Sequence, residues 1–504
     1  MQQSFLRGGN GVVVALERIP LLETSFFRSA LGELAGSGAR LVALFGRPLP
    51  EAGQTRITAV LAQDSGGELL LASTDVGRCY PSFTPVCPQA HAFERELAEQ
   101  WGLDPQGHPW MKPLRFQPPR NRNGGASGPR PPIGQADFYR VAGPEVHEVA
   151  VGPVHAGVIE PGHFRFQCHG EEVLHLEISL GYQHRGVERA FAEGPAKRRT
   201  HLIETLAGDT TIGHMLAHCE ALEALASAQV PPRAQALRGI ALELERMANH
   251  TGDLGALAGD VAFLPTASYC GRLRGDFLNM TALLCGNRFG RGLVRPGGLG
   301  AFDVDLLRAG ELLERLARTQ ADLESAVGLL WEAPSVQSRF ERTGRVAPET
   351  CRDLGLVGPA ARACAVERDV RFDHPSGIFR FEQIPVSTWD TGDVFGRAFV
   401  RWLELQRSGV FVRDLLRQLP AGPIAQPLGA LAPASMAIGL SEGWRGEICH
   451  CLWTDEAGAL AGCKIVDPSF HNWHGLAAAL RGQAISDFPL CNKSFNLSYC
   501  GHDL

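Results

Sequence analysis

The chain has 504 residues, 44% of them hydrophobic and 20% charged, and a formal net charge of −6. This length predicts two or three domains, and the composition is that of a folded soluble protein. The basic excess of a nucleic-acid-binding protein is missing, and no apolar run reaches the about 18 residues that span a bilayer. The 13 cysteines lack the spacing of a disulfide framework, which favours reduced intracellular thiols.

A segment rich in proline and glycine divides the chain in two. Residues 117–135 read QPPRNRNGGASGPRPPIGQ, in which Ile133 is the only large apolar side chain. This is the composition of a linker. We therefore predict a first domain over residues 1–116 and a second over residues 136–504, both of a size that can fold.

The first domain mixes strands with a helix. Arg40–Arg47 and Glu68–Thr74 are short runs rich in apolar residues, which predicts two buried strands. Ala92–Trp101 carries an apolar residue at every fourth position, which predicts an amphipathic helix. The first domain therefore mixes α and β elements, and strands followed by a helix indicate the α+β class.

The second domain begins with strands and continues as helices. Phe164 and Phe166 alternate with polar residues, a turn follows, and Val173–Ile178 returns, which predicts a hairpin. Long amphipathic stretches predict three helices, at Arg233–Leu257, Val304–Leu330 and Asp393–Leu419. The predicted fold is α+β: an N-terminal α/β domain, then a large, mainly helical domain with a β-rich entry segment and a C-terminal region rich in glycine and proline.

Two groups of metal-ligating residues stand close together in the sequence. Cys449 and Cys451 would place two thiols on one face of a strand, as a metal pair or as two buried hydrophobic thiols. His214 and His218 share one face of a probable helix, as metal ligands or as core histidines. The chain has no Cys-x-x-Cys, no phosphate-binding loop and no nucleophile elbow. We therefore predict no metal site.

Several short motifs follow one another along the second domain. They are GPVH at 152–155, EPGHFR at 160–165, GYQHRGVE at 181–188, ELERMANH at 243–250, GPAARA at 358–363 and the block from Leu480 to Leu490. Their order resembles that of the large subunit of group-4, energy-converting [NiFe]-hydrogenases and of the related 49-kDa subunit of respiratory complex I. The resemblance implies the fold of a [NiFe]-hydrogenase large subunit.

The first domain carries a resemblance of its own. Glu94–Leu97, Trp101–Leu103 and Gly107–Pro109 are similar to motifs of the 30-kDa subunit of complex I. That subunit is often fused to the large subunit in group-4 hydrogenases, so the two resemblances together cover nearly the whole chain.

The cysteines that hold nickel and iron in the hydrogenases are missing. Aligned on the motifs, the four ligand positions fall at Ala207, Thr210, Ser498 and Gly501, and Cys500 lies one residue off register. Soft sulfur ligands suit nickel and iron, and none of the four residues supplies sulfur. The resemblance therefore implies a family member without a Ni–Fe centre.

In the complex I relatives, the equivalent cavity forms a quinone head-group site. The resemblance then implies cofactor-binding roles for His155, His163, Gly208 and Ser498, although the quinone-contacting tyrosine of that family is replaced by Gly208. Imidazole can donate a hydrogen bond to a quinone carbonyl. In the alternative interpretation, His155 and His163 are loop histidines bonded to the backbone.

Catalytic roles follow from the same resemblance. The candidates are Glu188, His163, His155 and Asp209. Glu188 ends the GYQHRGVE motif, at the position of the carboxylate that relays protons beside the metal in hydrogenases. Alternatively, Glu188 pairs with Arg185 or another cation and only holds the motif in place.

The implied setting is a peripheral subunit on the cytoplasmic side of a membrane. Its partners would be a small Fe–S subunit and integral-membrane, ion-translocating subunits, with no nucleic acid. This chain would bind no cofactor of its own, except for a quinone in the cavity, and the Fe–S clusters would lie in the partner. Three hypotheses stay open: a redox subunit with an acceptor site, a non-catalytic scaffold, and an active hydrogenase with unusual ligands.

Overall fold

The computed structural model describes residues 4–49, 53–120, 132–155 and 159–504. Most of the predicted linker, residues 121–131, lies outside the described residues. The N-terminal region, residues 4–120, contains seven strands and two helices among its described residues. They are β1 (Leu6–Gly8), β2 (Val13–Ala15), α1 (Thr24–Gly36), β3 (Arg40–Leu49), β4 (Gln54–Gln63), β5 (Glu68–Val76), β6 (Cys79–Pro81), α2 (His91–Trp101) and β7 (Asp104–Gln106).

The main sheet of the N-terminal region is antiparallel, with the order β1-β5-β4-β3. Both strands predicted from the sequence are present, as β3 and β5, and the predicted amphipathic helix is α2. Glu94 on α2 is fully buried because it accepts hydrogen bonds from Ser82, Phe83 and Thr84, which satisfies its carboxylate.

The predicted hairpin opens the large region, residues 132–504. Strands β8 (Val146–Val151), β9 (His163–His169) and β10 (Glu172–Ser179) form an antiparallel sheet in the order β10-β9-β8. Phe164 and Phe166 of β9 are fully buried, as the alternation of apolar and polar residues predicts.

Helices dominate the middle of the chain, where two short strands interrupt them. In order, they are α3 (Val187–Glu193), α4 (Ala196–Glu204), α5 (Thr211–Leu225), α6 (Pro232–Asp260), α7 (Leu264–Cys285), β11 (Val294–Arg295), β12 (Gly298–Leu299), α8 (Leu306–Glu332), α9 (Pro334–Phe340), α10 (Pro348–Leu354), α11 (Gly358–Arg362), α12 (Val370–Asp373) and α13 (Val394–Arg417). The three predicted long helices are confirmed as α6, α8 and α13.

Local residues explain where these three helices begin. Proline at the first position of α6 leaves no unsatisfied amide there. Asp305 accepts a hydrogen bond from the Arg308 amide at the start of α8, and Asp393 accepts one from the Gly396 amide at the start of α13.

The C-terminal region holds a sheet that the sequence did not predict. It contains β13 (Ser435–Gly443), β14 (Gly446–Thr454), β15 (Leu460–Val466), α14 (Pro468–Ala479), α15 (Phe488–Phe495) and α16 (Tyr499–Asp503). The sheet order is β15-β14-β13-β2, so a strand from the start of the chain pairs with β13. Because β13 and β14 are buried on both faces, they lack the alternation that identifies a half-exposed strand.

Two hydrophobic clusters form the core. One lies within the large region, between the helices and the hairpin. The other combines the N-terminal sheet with residues of β13, β14 and β15 such as Ile438, Cys451 and Val466. The division at residues 117–135 stays a prediction, and it does not coincide with a division of the core. None of the helices in the described part of the chain is long and apolar enough to cross a membrane.

Candidate functional site

The positions that hold metal ligands in hydrogenases lie on two segments that the fold brings together. Ala207 and Thr210 lie between α4 and α5, and Ser498 and Gly501 lie at the start of α16. The side chains of Arg445 and Asp467 connect these segments, from the turn between β13 and β14 and from the residue before α14.

Arg445 binds both segments. Its guanidinium donates to Asp209 Oδ1 and Oδ2 over 2.7 and 2.8 Å, and its Nε donates to the Asn496 carbonyl over 2.5 Å. The guanidinium also lies 3.8 Å from the ring centroid of Trp444, in a cation–π contact. Burial acts to raise the pKa of Asp209, but the charge and hydrogen bonds of Arg445 outweigh it and lower that pKa. Asp209 is therefore ionised at neutral pH.

Asp467 lies where a fourth ligand side chain would stand. A Cβ atom built on Gly501 would be 2.5 Å from Asp467 Oδ2, so a cysteine at position 501 has no room. Asp467 Oδ1 accepts from the Ser469 amide over 2.8 Å, and Oδ2 lies 3.0 Å from His214 Nε2. Burial acts to raise the pKa of Asp467, but the hydrogen bond with His214 outweighs it and lowers that pKa.

These residues do not fit a Ni–Fe centre. Its ligands are thiolates, whereas here a guanidinium and two carboxylates surround the four positions. The half-buried Cys500 lies 3.4 Å from Ser498 Oγ. Among the residues that the structure describes, no group of three or more His, Cys, Asp or Glu side chains is arranged to hold a metal ion.

A row of buried histidines leads away from Asp467. His214 Nδ1 lies 3.2 Å from His450 Nε2, and the ring centroids of His450 and His218 are 5.8 Å apart. Burial lowers the pKa of His218 to about 4 and that of His450 well below its ordinary value. Both are therefore neutral at pH 7. Neutral imidazoles in hydrogen-bond contact can accept a proton on one ring nitrogen and release one from the other.

His155 lies in the loop before β9 and His163 is the first residue of β9, and each bonds to the backbone of that loop. His155 Nε2 donates to the Gly162 carbonyl over 2.8 Å, and His163 Nδ1 donates to the Gly152 carbonyl over 3.1 Å. His163 Nε2 accepts from Arg165 Nε, so both of its ring nitrogens are occupied. The loop packs on α16, because a Cβ atom on Gly162 would be 2.6 Å from the Tyr499 ring.

The other two candidate cofactor-binding residues have different environments. Gly208 is exposed, beside the partly exposed Asp209. Ser498 is buried, and its hydroxyl oxygen accepts from the Gly501 amide over 2.9 Å at the start of α16. Gly208 and Asp209 therefore face the surface, whereas Ser498 acts as a helix cap.

Glu188 does not contact this cluster. Its Oε1 accepts from the Ile465 amide over 3.0 Å and lies 3.2 Å from Lys464 Nζ, and its Oε2 accepts from Gln100. Burial acts to raise its pKa, but the charges of Lys464 and Arg115 outweigh it and lower that pKa. No hydrogen bond or ion pair found among the described residues joins Glu188 to the two ligand-bearing segments.

The cation beside Glu188 is thus Lys464. Arg185, the other partner considered from the sequence, instead donates to the carbonyls of Thr205 and Leu206. Glu188 lines a cleft of about 830 Å³ between the N-terminal and large regions.

Three important residues of this cluster were missed from the sequence: Arg445, Asp467 and His450. Asp467 precedes Pro468 and Ser469, which is a helix-start pattern and indicates a cap rather than a site. Arg445 lies in a tight turn, and His450 lies between two buried cysteines of β14. Neither residue has a sequence neighbour that indicates its partner.

Comparison with known proteins identifies the family. Residues 51–120 match the family described as respiratory-chain NADH dehydrogenase, 30 Kd subunit, and residues 260–434 match the 49 Kd subunit. Formate hydrogenlyase subunit 5 of Escherichia coli is 30% identical over 437 residues, which cover 83% of this chain and 76% of the relative. Carbon monoxide-induced hydrogenase of Rhodospirillum rubrum is 31% identical over 352 residues, covering 69% of this chain and 97% of the relative.

A subunit of an NADH-quinone oxidoreductase is similar as well. NADH-quinone oxidoreductase subunit 4 of Thermus thermophilus is 28% identical over 370 residues, which cover 68% of this chain and 90% of the relative. The chain therefore belongs to the family that unites the large subunits of energy-converting hydrogenases with the 49-kDa subunit of respiratory-chain NADH dehydrogenase, and it joins this part to a domain of the 30-kDa type.

Proposed function

We propose that this chain is a peripheral subunit of a membrane-bound oxidoreductase, and that an acceptor of quinone type binds where hydrogenases hold nickel and iron. Its relatives include a membrane-bound hydrogenase subunit of Pyrococcus furiosus and NADH-quinone oxidoreductase subunits. Their names support a multisubunit, membrane-bound complex. We propose that in this complex an Fe–S subunit delivers the electrons and integral-membrane subunits translocate ions. We place the chain on the cytoplasmic face of that membrane.

The observation that carries the acceptor proposal is the clustering of Asp209, Asp467 and His214 beside an exposed backbone segment. Reduction of a bound quinone requires protons as well as electrons. Asp467 and His214 share a proton-carrying contact of 3.0 Å, and His450 extends it into the protein. Titratable groups collected at one buried point are typical of functional sites.

His155 is the residue proposed to orient the acceptor. His163 uses both ring nitrogens, on the Gly152 carbonyl and on Arg165, whereas His155 Nδ1 has no partner among the described residues. Because His155 Nε2 carries the proton bound to Gly162, Nδ1 donates to an acceptor carbonyl only in the imidazolium form, and in the neutral ring it accepts from the hydroxyl of the reduced acceptor. Gly208 supplies no side-chain donor, so the loop histidine takes the place that a tyrosine has in complex I relatives. A bound quinone would accept electrons from the Fe–S subunit.

The scaffold hypothesis is the second candidate, and one observation favours it. Arg445 and Asp467 fill the space beside the four former ligand positions. Five well-formed cavities in the described parts of the chain lie elsewhere, and none of these five is lined by Ala207, Thr210, Ser498 or Gly501. In this alternative the chain docks the same partners and binds no acceptor.

Purification of the native complex separates the candidates. We expect less than about a tenth of a nickel atom per chain, because thiolate ligands are missing. We also expect reduction of a soluble quinone, with a KM raised about tenfold by His155→Gln, since the contact of the imidazole with the acceptor is lost. His147→Gln, on the exposed side of β8, is the matched control.

An assembled complex that reduces no quinone would favour the scaffold. Nickel at one atom per chain, or hydrogen uptake by the complex, would overturn both candidates. Unchanged quinone kinetics in His155→Gln would remove His155 from the acceptor site.

A further inference from the structure

A second cavity lies away from the cluster of Asp209 and Asp467. It has a volume of about 440 Å³ and lies between the N-terminal region and the large region. Helix α2 and residues 109–114 form one side, and β10, α10 and α14 form the other. Cavities of about 300–1,000 Å³ at the junction of two structural units are typical small-molecule sites.

Aromatic side chains form much of its wall. Trp110, His175, Trp473 and His474 line the cavity together with aliphatic residues such as Leu176. The ring centroids of Trp110 and His175 are 5.6 Å apart. Flat apolar walls of this kind favour a planar, aromatic ligand body, because stacked and edge-to-face rings attract each other.

One buried cation in the cavity, Arg95, has no directly paired carboxylate, although Glu99 and Glu177 lie near enough to act on its charge. Arg95 is 7% exposed, and its guanidinium donates only to the carbonyls of Lys112 and Pro113, over 2.8 and 2.7 Å. It forms no ion pair with any residue that the structure describes. The carboxylate of Glu177, which also lines the cavity, is already bound to Lys112 over 2.7 Å. Burial lowers the pKa of Arg95 to about 10, so it remains charged at pH 7.

The histidines around Arg95 add no charge to the cavity at pH 7. Burial lowers the pKa of His474 to about 3 and that of His91 well below its ordinary value, so both are neutral at pH 7. Arg481, at the exposed edge of the cavity, adds a second positive charge. Among the residues that line the cavity, Arg95 and Arg481 are positive and Glu177 is negative, so the lining is aromatic and largely apolar with an excess of positive charge.

Two further polar groups in the lining have no partner. His175 Nε2 and Trp473 Nε1 are buried and form no hydrogen bond with the described residues. Leaving a buried polar group unpaired costs about 1–3 kcal/mol. A ligand that accepts hydrogen bonds would satisfy the indole N–H of Trp473.

We propose that this cavity binds an aromatic carboxylate, whose charge pairs with Arg95 and whose ring lies between Trp110, Trp473 and His474. Nothing in this proposal depends on the acceptor site, since no residue of the cavity belongs to the cluster around Asp209. Trp473 also contacts Tyr499 with ring centroids 4.9 Å apart, and Tyr499 packs on the loop of His155, so the ligand would touch a side chain that lies one contact away from that loop.

Calorimetric titration of the purified full chain with cinnamate tests the proposal. Cinnamamide has the same shape without the charge, and inorganic phosphate has charge without a ring. We expect cinnamate to bind at least about tenfold more tightly than cinnamamide, because a charge-assisted contact to Arg95 is lost in the amide. Phosphate alone should give no measurable heat at the same concentrations.

Three variants locate the binding. Arg95→Gln should remove the preference for the acid over the amide. Ala478→Trp should fill the cavity and abolish binding of both compounds while keeping Arg95. Arg413→Gln, on the exposed surface of α13, is the control and should bind cinnamate as the unchanged chain does.

Several results would overturn the proposal. They are a chain that binds no cinnamate, equal binding of acid and amide, and cinnamate binding that survives Ala478→Trp. Binding by the separate chain but not by the assembled complex would show that a partner subunit occupies the cavity, and that too would reject a small-molecule site.

Discussion

At the scale of single residues, the ion pair of Asp209 and Arg445 makes the region around the four positions without sulfur charged and hydrogen-bonded. The Arg445 side chain is 5% exposed and that of Asp209 is 33% exposed. A guanidinium removed from water needs a counter-charge, and Asp209 supplies it with two hydrogen bonds. The pair occupies the region from which the thiolates are missing.

Replacement of Asp209 by asparagine should destabilise the protein. The change leaves Arg445 buried without a counter-charge, which we expect to lower the free energy of unfolding by about 2 kcal/mol. This is less than for a fully buried pair because Asp209 is partly exposed. Chemical denaturation measures the change. The control is Asp322→Asn, since its pair with Arg272 is exposed and should contribute under about 0.5 kcal/mol. Equal effects of the two substitutions would contradict the prediction.

A second feature of a single residue, the buried imidazole of His218, makes the stability of the folded chain depend on pH. Its pKa is about 4 in the folded chain because of burial, against an ordinary value near 6.5. The unfolded chain therefore takes up a proton at a higher pH than the folded chain does. Stability is fully present above pH 6.5 and falls as the pH decreases towards 4.

Replacement of His218 by leucine should weaken this dependence. The unchanged chain loses unfolding free energy when the pH falls from 7 to 5.5. In the variant we expect this loss to be smaller by about 1 kcal/mol, because its unfolded state no longer takes up a proton at position 218. Denaturation curves at both pH values measure it. His201→Leu, at an exposed position of α4, should leave the difference unchanged. An identical pH dependence in the His218 variant would show that this imidazole does not control acid stability.

At the scale of elements, β13 and α5 approach so closely that only glycine fits between them. A Cβ atom on Gly439 of β13 would be 2.0 Å from the Ala217 carbonyl oxygen of α5. This contact places His214 and His218 of α5 against His450 of β14. The close approach thus holds the row of histidines in position.

Replacement of Gly439 by alanine should separate the helix from the sheet. We expect a loss of about 3 kcal/mol in unfolding free energy, because the added methyl group meets backbone atoms of α5, at Ala217 and Ala221, which cannot move aside as a side chain can. Gly310→Ala is the matched control: no atom lies within 4 Å of its Cβ, and alanine favours the helix α8. That variant should be as stable as the unchanged chain or slightly more so. A mild effect at position 439 would mean that α5 can move away from β13 at little cost.

At the scale of the whole molecule, the N-terminal segment holds the C-terminal sheet. Asn10 is buried, and its amide donates to the carbonyls of His374 and Leu440 and accepts from the Leu440 amide. Arg40 of β3 pairs with Glu447 of β14, both nearly fully buried. The two regions therefore share buried polar contacts as well as the second hydrophobic cluster.

Replacement of Asn10 by alanine tests this connection. Three hydrogen bonds are lost and backbone groups of β13 are left unpaired, so we expect a loss of about 3 kcal/mol in unfolding free energy. Hydrogen exchange should increase in β13 and in β2, which pairs with it. Unchanged exchange in β13 would show that the N-terminal segment only rests on the sheet.

The sequence by itself determined the long helices, the entry hairpin and the register of the motifs, but not the C-terminal sheet. The amphipathic helix α2 and the long helices α6, α8 and α13 follow from a 3.6-residue period, which depends on neighbours within a few positions. The absence of sulfur at 207, 210, 498 and 501 is likewise a property of the sequence.

The tertiary structure alone decided which side chains occupy the space beside those four positions. Arg445 and Asp209 are 236 residues apart in the chain, and Asp467 and His214 are 253 apart. It also decided that Glu188 faces Lys464, and that β2 joins β13. Such contacts depend on how whole elements pack, and no local period records which side chains will meet across them.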